Sequence, residues 1–487
     1  MSDQLPQIPL LPTSLSTPGQ IEAEAQPVDG PSQPGPRGKC SMIALGCPKN
    51  LVDGERILGL LRDAGWELEP NPEKADVVVV NTCGFLRSAR EESFEAIEEM
   101  LKLKKRGKIR GVIVAGCLAE RDRDALLDRF PEVDQVIGVF SRDEITRAIA
   151  RIESGIQEQR TIFQPASVVP LDDRRRLRVT PRHLAYLKIS EGCDRLCTFC
   201  TIPHIRGRHV SKPMELILAE ARELAAEGVK ELVVVAQDTT YYGMDLVGRP
   251  LLAELLSRLR EIPGFTWIRL MYLYPMYFTD ELIAVLREGG PIIPYLDLPL
   301  QHINDTILRR MKRRVTRAET EALLARLRES IPQLVLRTTM IVGFPGETEA
   351  QFQELVEFVR RQRFERLGVF EYSREPGTPA ARLKDHLPRR VIRARREYLM
   401  EVQQEIAFEW AQSQVGRKMT VLLDQRHPGQ KDVWLGRTYA DAPEIDGAVY
   451  VTGKRLSAGQ FVECEIVAAE GYDLVAAPLA EDATVAS

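Results

Sequence analysis

A chain of 487 residues, 44% hydrophobic and 28% charged, is long enough for about three ordinary domains. Its net charge of −4 and pI near 6.0 exclude a global electrostatic drive toward nucleic acid or anionic lipid, though not a local basic patch. Eight cysteines are too few for a disulfide scaffold, and no apolar run approaches the ~20 residues of a membrane span, so a reducing cytoplasm fits best.

Residues 1–39 are rich in Pro, Gln, Ser and Gly and lack the basic start and apolar core of a secretory signal; they read as a disordered tail. From 40 to about 150 one pattern occurs three times: a four-residue apolar run, a polar turn with one Cys, then an amphipathic helix. Met42–Leu45 leads to Gly46-Cys47, Val77–Val80 to Asn81-Thr82-Cys83, and Val112–Ala115 to Gly116-Cys117. Such alternation predicts a parallel sheet covered on both faces. The carboxyl ends of its strands share one edge, where ligands bind. Three cysteines are therefore expected to converge there, as buried thiols or as ligands of a cluster with one open iron. In the helix after Cys83, Ser88 is placed to cap, with Glu91 and Glu92 in the first turn and Lys102, Lys104, Lys105 and Arg106 in the last. Cys40 and Cys464 have no such partners and read as structural. Residues 151–180 read as a linker.

The segment 181–387 opens with the run Cys193-Asp194-Arg195-Leu196-Cys197-Thr198-Phe199-Cys200. Three thiolates at this spacing leave a cubane iron–sulfur cluster one ligand short, and an open metal position marks a catalytic site; a zinc knuckle is the bland alternative. Leu184–Ile189, Glu231–Gln237, Trp267–Leu273, Tyr295–Leu300, Leu336–Val342 and Leu367–Tyr372 read as six strands with helices between them. This α/β pattern predicts an open (β/α)6 barrel with its active site at the strand carboxyl ends. The cysteine run follows the first strand. Gln237-Asp238, Tyr274, Gln301-His302 and the turn from Gly343 to Thr348 occupy equivalent ends. Gly343 would let backbone approach a ligand, and His302 reads as a hydrogen-bonding positioner. Residues 388–412 read as a linking helix, 413–480 as a small β-barrel and 481–487 as a tail. Seven bases against nine acids over 412–479 make that barrel net acidic, a poor phosphate binder and a plausible reader of a basic protein.

This order of modules, over about residues 40–478, resembles the radical S-adenosylmethionine (SAM) methylthiotransferases, and the CxxxCxxC run with Phe199 before its last Cys is similar to the radical-SAM signature. The wording Leu45-Gly46-Cys47-Pro48-Lys49-Asn50-Leu51-Val52-Asp53, with Ala236–Gly243 and Asp297–His302, resembles the RimO branch, which modifies an aspartate of small-subunit ribosomal protein twelve. The other bacterial branch acts on isopentenyladenosine in tRNA. Gly54, where Ser is usual, is a small departure. The resemblance implies an N-terminal methylthiotransferase domain, a radical-SAM barrel and a TRAM-like C-terminal barrel. It implies two [4Fe-4S] clusters, one on Cys47, Cys83 and Cys117 and one on Cys193, Cys197 and Cys200. SAM would serve both as methyl donor to sulfur at the first and as radical source at the second, with Phe199 over the adenine and Gln237, Gln301 and Gly343 in the SAM site. The implied partners are the ribosomal protein, free or within its subunit, and an electron donor such as flavodoxin, without direct nucleic-acid recognition or a membrane. The rivals are a tRNA methylthiotransferase and a two-cluster electron carrier.

Overall fold

The computed structural model describes residues 37–156 and 158–479. The tails expected over 1–39 and 481–487 lie outside them, apart from positions 37–39. The chain divides into two compact units, one of residues up to 165 with 175–177, the other of 166–174 with the rest.

In the first unit, strands β1 (Lys39–Ala44), β2 (Glu67–Leu68), β3 (Val77–Thr82), β4 (Gly111–Gly116), β5 (Gln135–Ile137) and β6 (Thr161–Ile162) form a parallel sheet in the order β2-β1-β3-β4-β5-β6. The period of two sorts its side chains. Val78, Val80, Val112 and Val114 pack with Phe94 and Ile97 of the helix Arg87–Lys105, whereas Val77, Val79 and Ile113 pack with Ile57 and Leu61 of the helix Pro48–Asp63. Both faces are covered, so β3 and β4 are buried at every position, as a doubly covered parallel sheet requires.

Two local expectations are corrected. The helix after Cys83 begins at Arg87 with Leu86 as its N-cap and no side-chain cap, so Ser88 does not cap it; Glu91 instead pairs with Arg87 one turn earlier at 2.7 Å. The segment expected to be a linker contains β6, which pairs with β5, and Arg176, whose guanidinium meets the buried carboxylate of Glu55 at 3.2 Å.

The second unit carries a parallel sheet whose spatial order is its chain order: β7 (Leu184–Lys188), then, beyond the short pair β8 (Ser190–Glu191) and β9 (Val210–Ser211), β10 (Glu231–Val235), β11 (Trp267–Leu270), β12 (Ile292–Asp297), β13 (Val335–Val342) and β14 (Arg366–Glu371). Consecutive parallel neighbours joined by helices produce the expected open six-stranded barrel. One continuous apolar core runs from Leu187 and Leu232 to Phe358 and Leu399.

After the helix Arg389–Ser413, strands β15 (Lys418–Arg426), β16 (Val433–Arg437), β17 (Val449–Thr452), β18 (Phe461–Glu470) and β19 (Asp473–Pro478) close into a barrel in the order β15-β16-β17-β19-β18. The last strand opens with Asp473, a poor strand former. This barrel seats against the amino-terminal part of the large sheet through buried ion pairs: Arg437 to Glu231 at 2.7 Å, Arg366 to Asp441 at 2.6 Å, Arg337 to Asp446 at 3.6 Å and His183 to Asp424 at 3.0 Å.

That docking corrects the charge expected of the barrel surface. Asp424, Asp441 and Asp446 are spent on Arg437, His183, Arg366 and Arg337. The surface keeps Asp432, Glu444, Glu463, Glu465, Glu470 and Asp473 against Arg417, Lys418, Arg426, Lys431, Lys454 and Arg455, which balance. The net acidity is internal, and the outer face does not select a basic protein by charge.

Candidate functional site

Each unit presents three cysteines at strand carboxyl ends. In the first unit the ends are in register, since Ala44 and Ala115 both lie opposite Asn81, so Cys47, Cys83 and Cys117 leave the sheet along one edge. Cys47 is the N-cap of the helix Pro48–Asp63, and Cys117 opens the short helix Cys117–Asp122. The loops approach closely: a Cβ on Gly46 would lie 3.0 Å from the Cys83 sulfur, and one on Gly84 2.7 Å from the Cys117 carbonyl oxygen. The Ser93 hydroxyl holds Cys83, accepting from its N–H at 3.0 Å and donating to its carbonyl at 3.1 Å. Asn50 donates to Leu45 O at 2.8 Å and to Thr82 O at 3.3 Å and accepts from Asn81 Nδ2 at 2.7 Å on its backbone oxygen, while its side-chain oxygen lies 3.9 Å from the Cys117 sulfur. Asn50 therefore ties three strand ends together. Sequence reasoning passed over it and Ser93; the one available signal was Asn81, an amide at the end of a Val run.

In the second unit the β8–β9 pair forms the base of the Cys193–Cys200 loop. Gly192 has φ +70°, and a Cβ there would fall 2.0 Å from Arg208 O, so only glycine fits. Two backbone amides already point at sulfur, Arg195 N at Cys193 and Ile202 N at Cys200, each at 3.4 Å. Thr198 fixes the loop by donating its N–H to Met311 O at 3.0 Å and its hydroxyl to Arg310 O at 2.8 Å. Burial pushes the Cys193 thiol up to about 12, and burial with the neighbouring Cys197 pushes Cys200 up as well. Without a cation these thiols stay protonated at neutral pH, and a metal centre that takes thiolates removes that cost.

Among the described residues no three His, Cys, Asp or Glu side chains close on one point tightly enough for a single ion. Three soft thiolates on glycine-lined turns have the donor chemistry of an iron–sulfur cluster.

The other strand-end residues are placed as follows. Phe199 packs against an apolar group containing Met311, Phe344 and Tyr372. Gln237 donates to Glu191 at 2.8 Å, and its own carbonyl oxygen is buried with no hydrogen-bond partner. Glu191 also accepts from Arg206 and Lys188, each at 3.0 Å. Burial would raise this carboxyl, but those two cations outweigh it and hold it well below the usual carboxylate range. Gln301 sits at φ +73°, pinned by Thr339 O at 2.8 Å and by the Ile341 N–H at 2.7 Å, a strained backbone of the kind found at ligand sites. The His302 Nδ1 accepts from Asn304 N at 3.0 Å, and Nε2 lies 3.6 Å from Glu347. At Gly343, φ +76°, the close approach that requires glycine is to Ile392, 2.5 Å from a would-be Cβ. A ligand is not needed to explain it.

The family model described as "Radical SAM superfamily" matches residues 187–359, "Uncharacterized protein family UPF0004" matches 39–138 and "TRAM domain" matches 415–479. A protein of Lachnoclostridium phytofermentans named "Ribosomal protein uS12 methylthiotransferase RimO" is 48% identical over 90% of this chain and 99% of its own length. One of the same name from Anaeromyxobacter is 47% identical over 90% of this chain and 92% of its own. Among solved structures, the radical S-adenosylmethionine methyltransferase TsrM of Kitasatospora setae superposes with a TM-score of 0.52 at 17% identity, covering 70% of this chain and 73% of that one, a likeness of fold. No helix among the described residues is long and apolar enough to cross a membrane.

Proposed function

This chain belongs to the RimO family of radical-SAM methylthiotransferases, and from that premise we propose that it attaches a methylthio group to the β-carbon of an aspartate in ribosomal protein uS12, in the cytoplasm. The identity of 44% or more across some nine-tenths of the chain to proteins named for uS12 carries this reading. The tRNA enzyme and the electron carrier are not favoured.

We assign Cys193, Cys197 and Cys200 to one cluster and Cys47, Cys83 and Cys117 to the other. When bound, the clusters and SAM supply an electron, a methylated sulfur and a radical able to remove hydrogen from an unactivated carbon. The protein's part is placement. Asn50 and Ser93 hold the loops of Cys47, Cys83 and Cys117, and Thr198 and the β8–β9 pair hold the loop of Cys193. Gln237, oriented by Glu191, offers a carbonyl oxygen to a donor on bound SAM, and Phe199 an apolar surface for its adenine. Each loop emerges at the strand carboxyl ends of its own unit, where a ligand can be held and kept from water. An electron donor such as flavodoxin would deliver the electron.

The test is the intact mass of uS12 from cells with and without this gene, with the modified residue located by fragmentation. A gain of one SCH₂ unit on an aspartate is expected. Unmodified uS12 beside a methylthiolated tRNA base would transfer the assignment to the other branch.

A further inference from the structure

Three chain segments around the Cys193–Cys200 loop carry surface cations that no carboxylate answers. Thr198 donates its N–H to Met311 O at 3.0 Å and accepts the Ala380 N–H at 2.9 Å, so the run Arg309–Arg314 and the segment 380–385 both abut the loop. The turn after β13 ties these two together: Gly346 donates its N–H to Asp385 O at 2.7 Å, and the Arg310 guanidinium passes beside Gly346 to reach Asp385 at 3.4 Å. The start of the helix Arg389–Ser413 lies against the same turn, through Ile392 at Gly343.

Arg309, Lys312 and Arg314 are exposed in the first segment, and Arg382 and Lys384 in the second. Arg389, Arg390 and Arg393 are exposed in the third. Among the described residues none of these eight stands in an ion pair, and Asp385, the one acid of the three segments, is taken by Arg310. Other surface arginines of this unit do find partners: Arg258 meets Glu215 at 2.7 Å, and Arg326 and Arg363 meet Asp280 and Glu409. A chain of net charge −4 thus gathers unanswered cations on one face. Grouping like charges costs repulsion that scattered charges avoid, and a polyanion seated there removes it.

Six of the eight are arginines, whose planar forks match phosphate oxygens in pairs. A basic face cannot draw in a basic ribosomal protein by charge, but it can draw in the phosphates beside that protein. We propose that this face binds the phosphate backbone of the RNA that holds uS12, so that the enzyme takes its substrate in the RNA-bound state. The inference rests on the uS12 reading and departs from the resemblance, which implied no direct contact with nucleic acid.

The experiment uses cluster-loaded full-length protein under anaerobic conditions, as wild type and as the combined variant Lys312→Gln, Lys384→Gln, Arg389→Gln and Arg390→Gln. Binding to purified small ribosomal subunits, to protein-free small-subunit RNA and to isolated uS12 is measured over a series of salt concentrations. The wild type should bind subunit and RNA more tightly than isolated uS12, with an affinity that falls steeply with salt. The variant should bind the subunit about tenfold more weakly or worse at low salt, and its log–log salt slope should be smaller by about 3 for four lost phosphate contacts. Its dithionite-driven SAM cleavage should match the wild type. Equal subunit affinity and salt slope in the two proteins would overturn the proposal. So would a variant that binds the subunit normally yet loses SAM cleavage only when flavodoxin supplies the electron, because the face would then receive an acidic reductant. Should the variant fail to load iron, Arg314→Gln with Arg382→Gln takes its place: about half the change in slope supports the face, and an unchanged slope overturns it. A wild type that binds RNA through this face and leaves uS12 unmodified would sink the uS12 reading alone, so the two failures are distinguishable.

Discussion

The two ends of the six-stranded sheet are built on opposite principles. At the amino-terminal end Glu231, fully buried, meets Arg269 at 2.8 Å and Arg437 at 2.7 Å, and Arg366, which opens β14, meets Asp441 at 2.6 Å. Buried cations there have carboxylates, and the C-terminal barrel supplies several of them. At the carboxyl end Arg313 has none, the Gln237 oxygen is unbonded, and three thiols are held in a glycine-dependent loop. Buried polar atoms without a hydrogen bond occur at both ends, Arg269 Nη2 and Arg366 Nε among them, so the contrast lies in charge pairing. An end that closes its electrostatics internally contributes fold stability, whereas an end that leaves them open is shaped for something that arrives later.

Substituting at each end should break different properties. The largest effect is expected from changing Cys193, Cys197 and Cys200 together to Ala. That variant should lose all reductive SAM cleavage and about one cluster's worth of iron and sulfide, four atoms of each. The mirror variant, with Cys47, Cys83 and Cys117 all Ala, should lose methylthio transfer but keep SAM cleavage. Iron analysis and detection of 5′-deoxyadenosine separate the two, and an unchanged iron content in either would remove that trio from the ligand set.

Glu231→Gln attacks the other end. It strands Arg269 beside a neutral amide with no exposed side-chain surface, while Arg437 keeps Asp424, and stranding a buried charge costs about 3–5 kcal/mol. A thermal midpoint lowered by several degrees is expected, with SAM cleavage per bound cluster retained below the transition. If Glu231→Gln left stability intact and removed SAM cleavage, the division of labour between the ends would be wrong.

Much of this was legible in the sequence because it is local. Four-residue apolar runs announced β1, β3 and β4, and the CxxxCxxC run follows the first strand of the large sheet, as its position in the sequence implies. What was not legible depends on distant pairing. Asp424 and Asp441 read as acidic surface until Arg437 and Arg366, the latter 75 residues from Asp441, are seen to bury them. Arg313 stood unnoticed in the basic run Arg309–Arg317, because a sequence does not say which cation of a run turns inward. Ser88 reads as a cap, yet the chain stays extended only as far as Leu86. Gly343 reads as a point of approach for a ligand, and only the helix Arg389–Ser413 shows that Ile392 fills that side.

The smallest expected effect sharpens the comparison through pH. Asp424 links the barrel to His183 at 3.0 Å and to Arg437 at 2.7 Å. Burial would raise its carboxyl, but the Arg437 charge, helped by the His183 hydrogen bond, outweighs burial and holds it at about 2. A folded-state pKa below the unfolded one means that the group stabilises the fold at all pH values above the ordinary carboxylate range. That contribution, on the order of 2 kcal/mol, fades as pH falls toward 2, because the unfolded chain takes up its proton first. Denaturant unfolding of iron-free wild type and Asp424→Asn, followed between pH 6 and 3, reads the difference without interference from acid-labile clusters. The gap between the two proteins should be widest at pH 6 and narrow through pH 4 and below. A gap of constant size would mean that Asp424 acts by shape rather than by charge, and that the barrel is held to the amino-terminal end by packing such as Trp267 against Phe461.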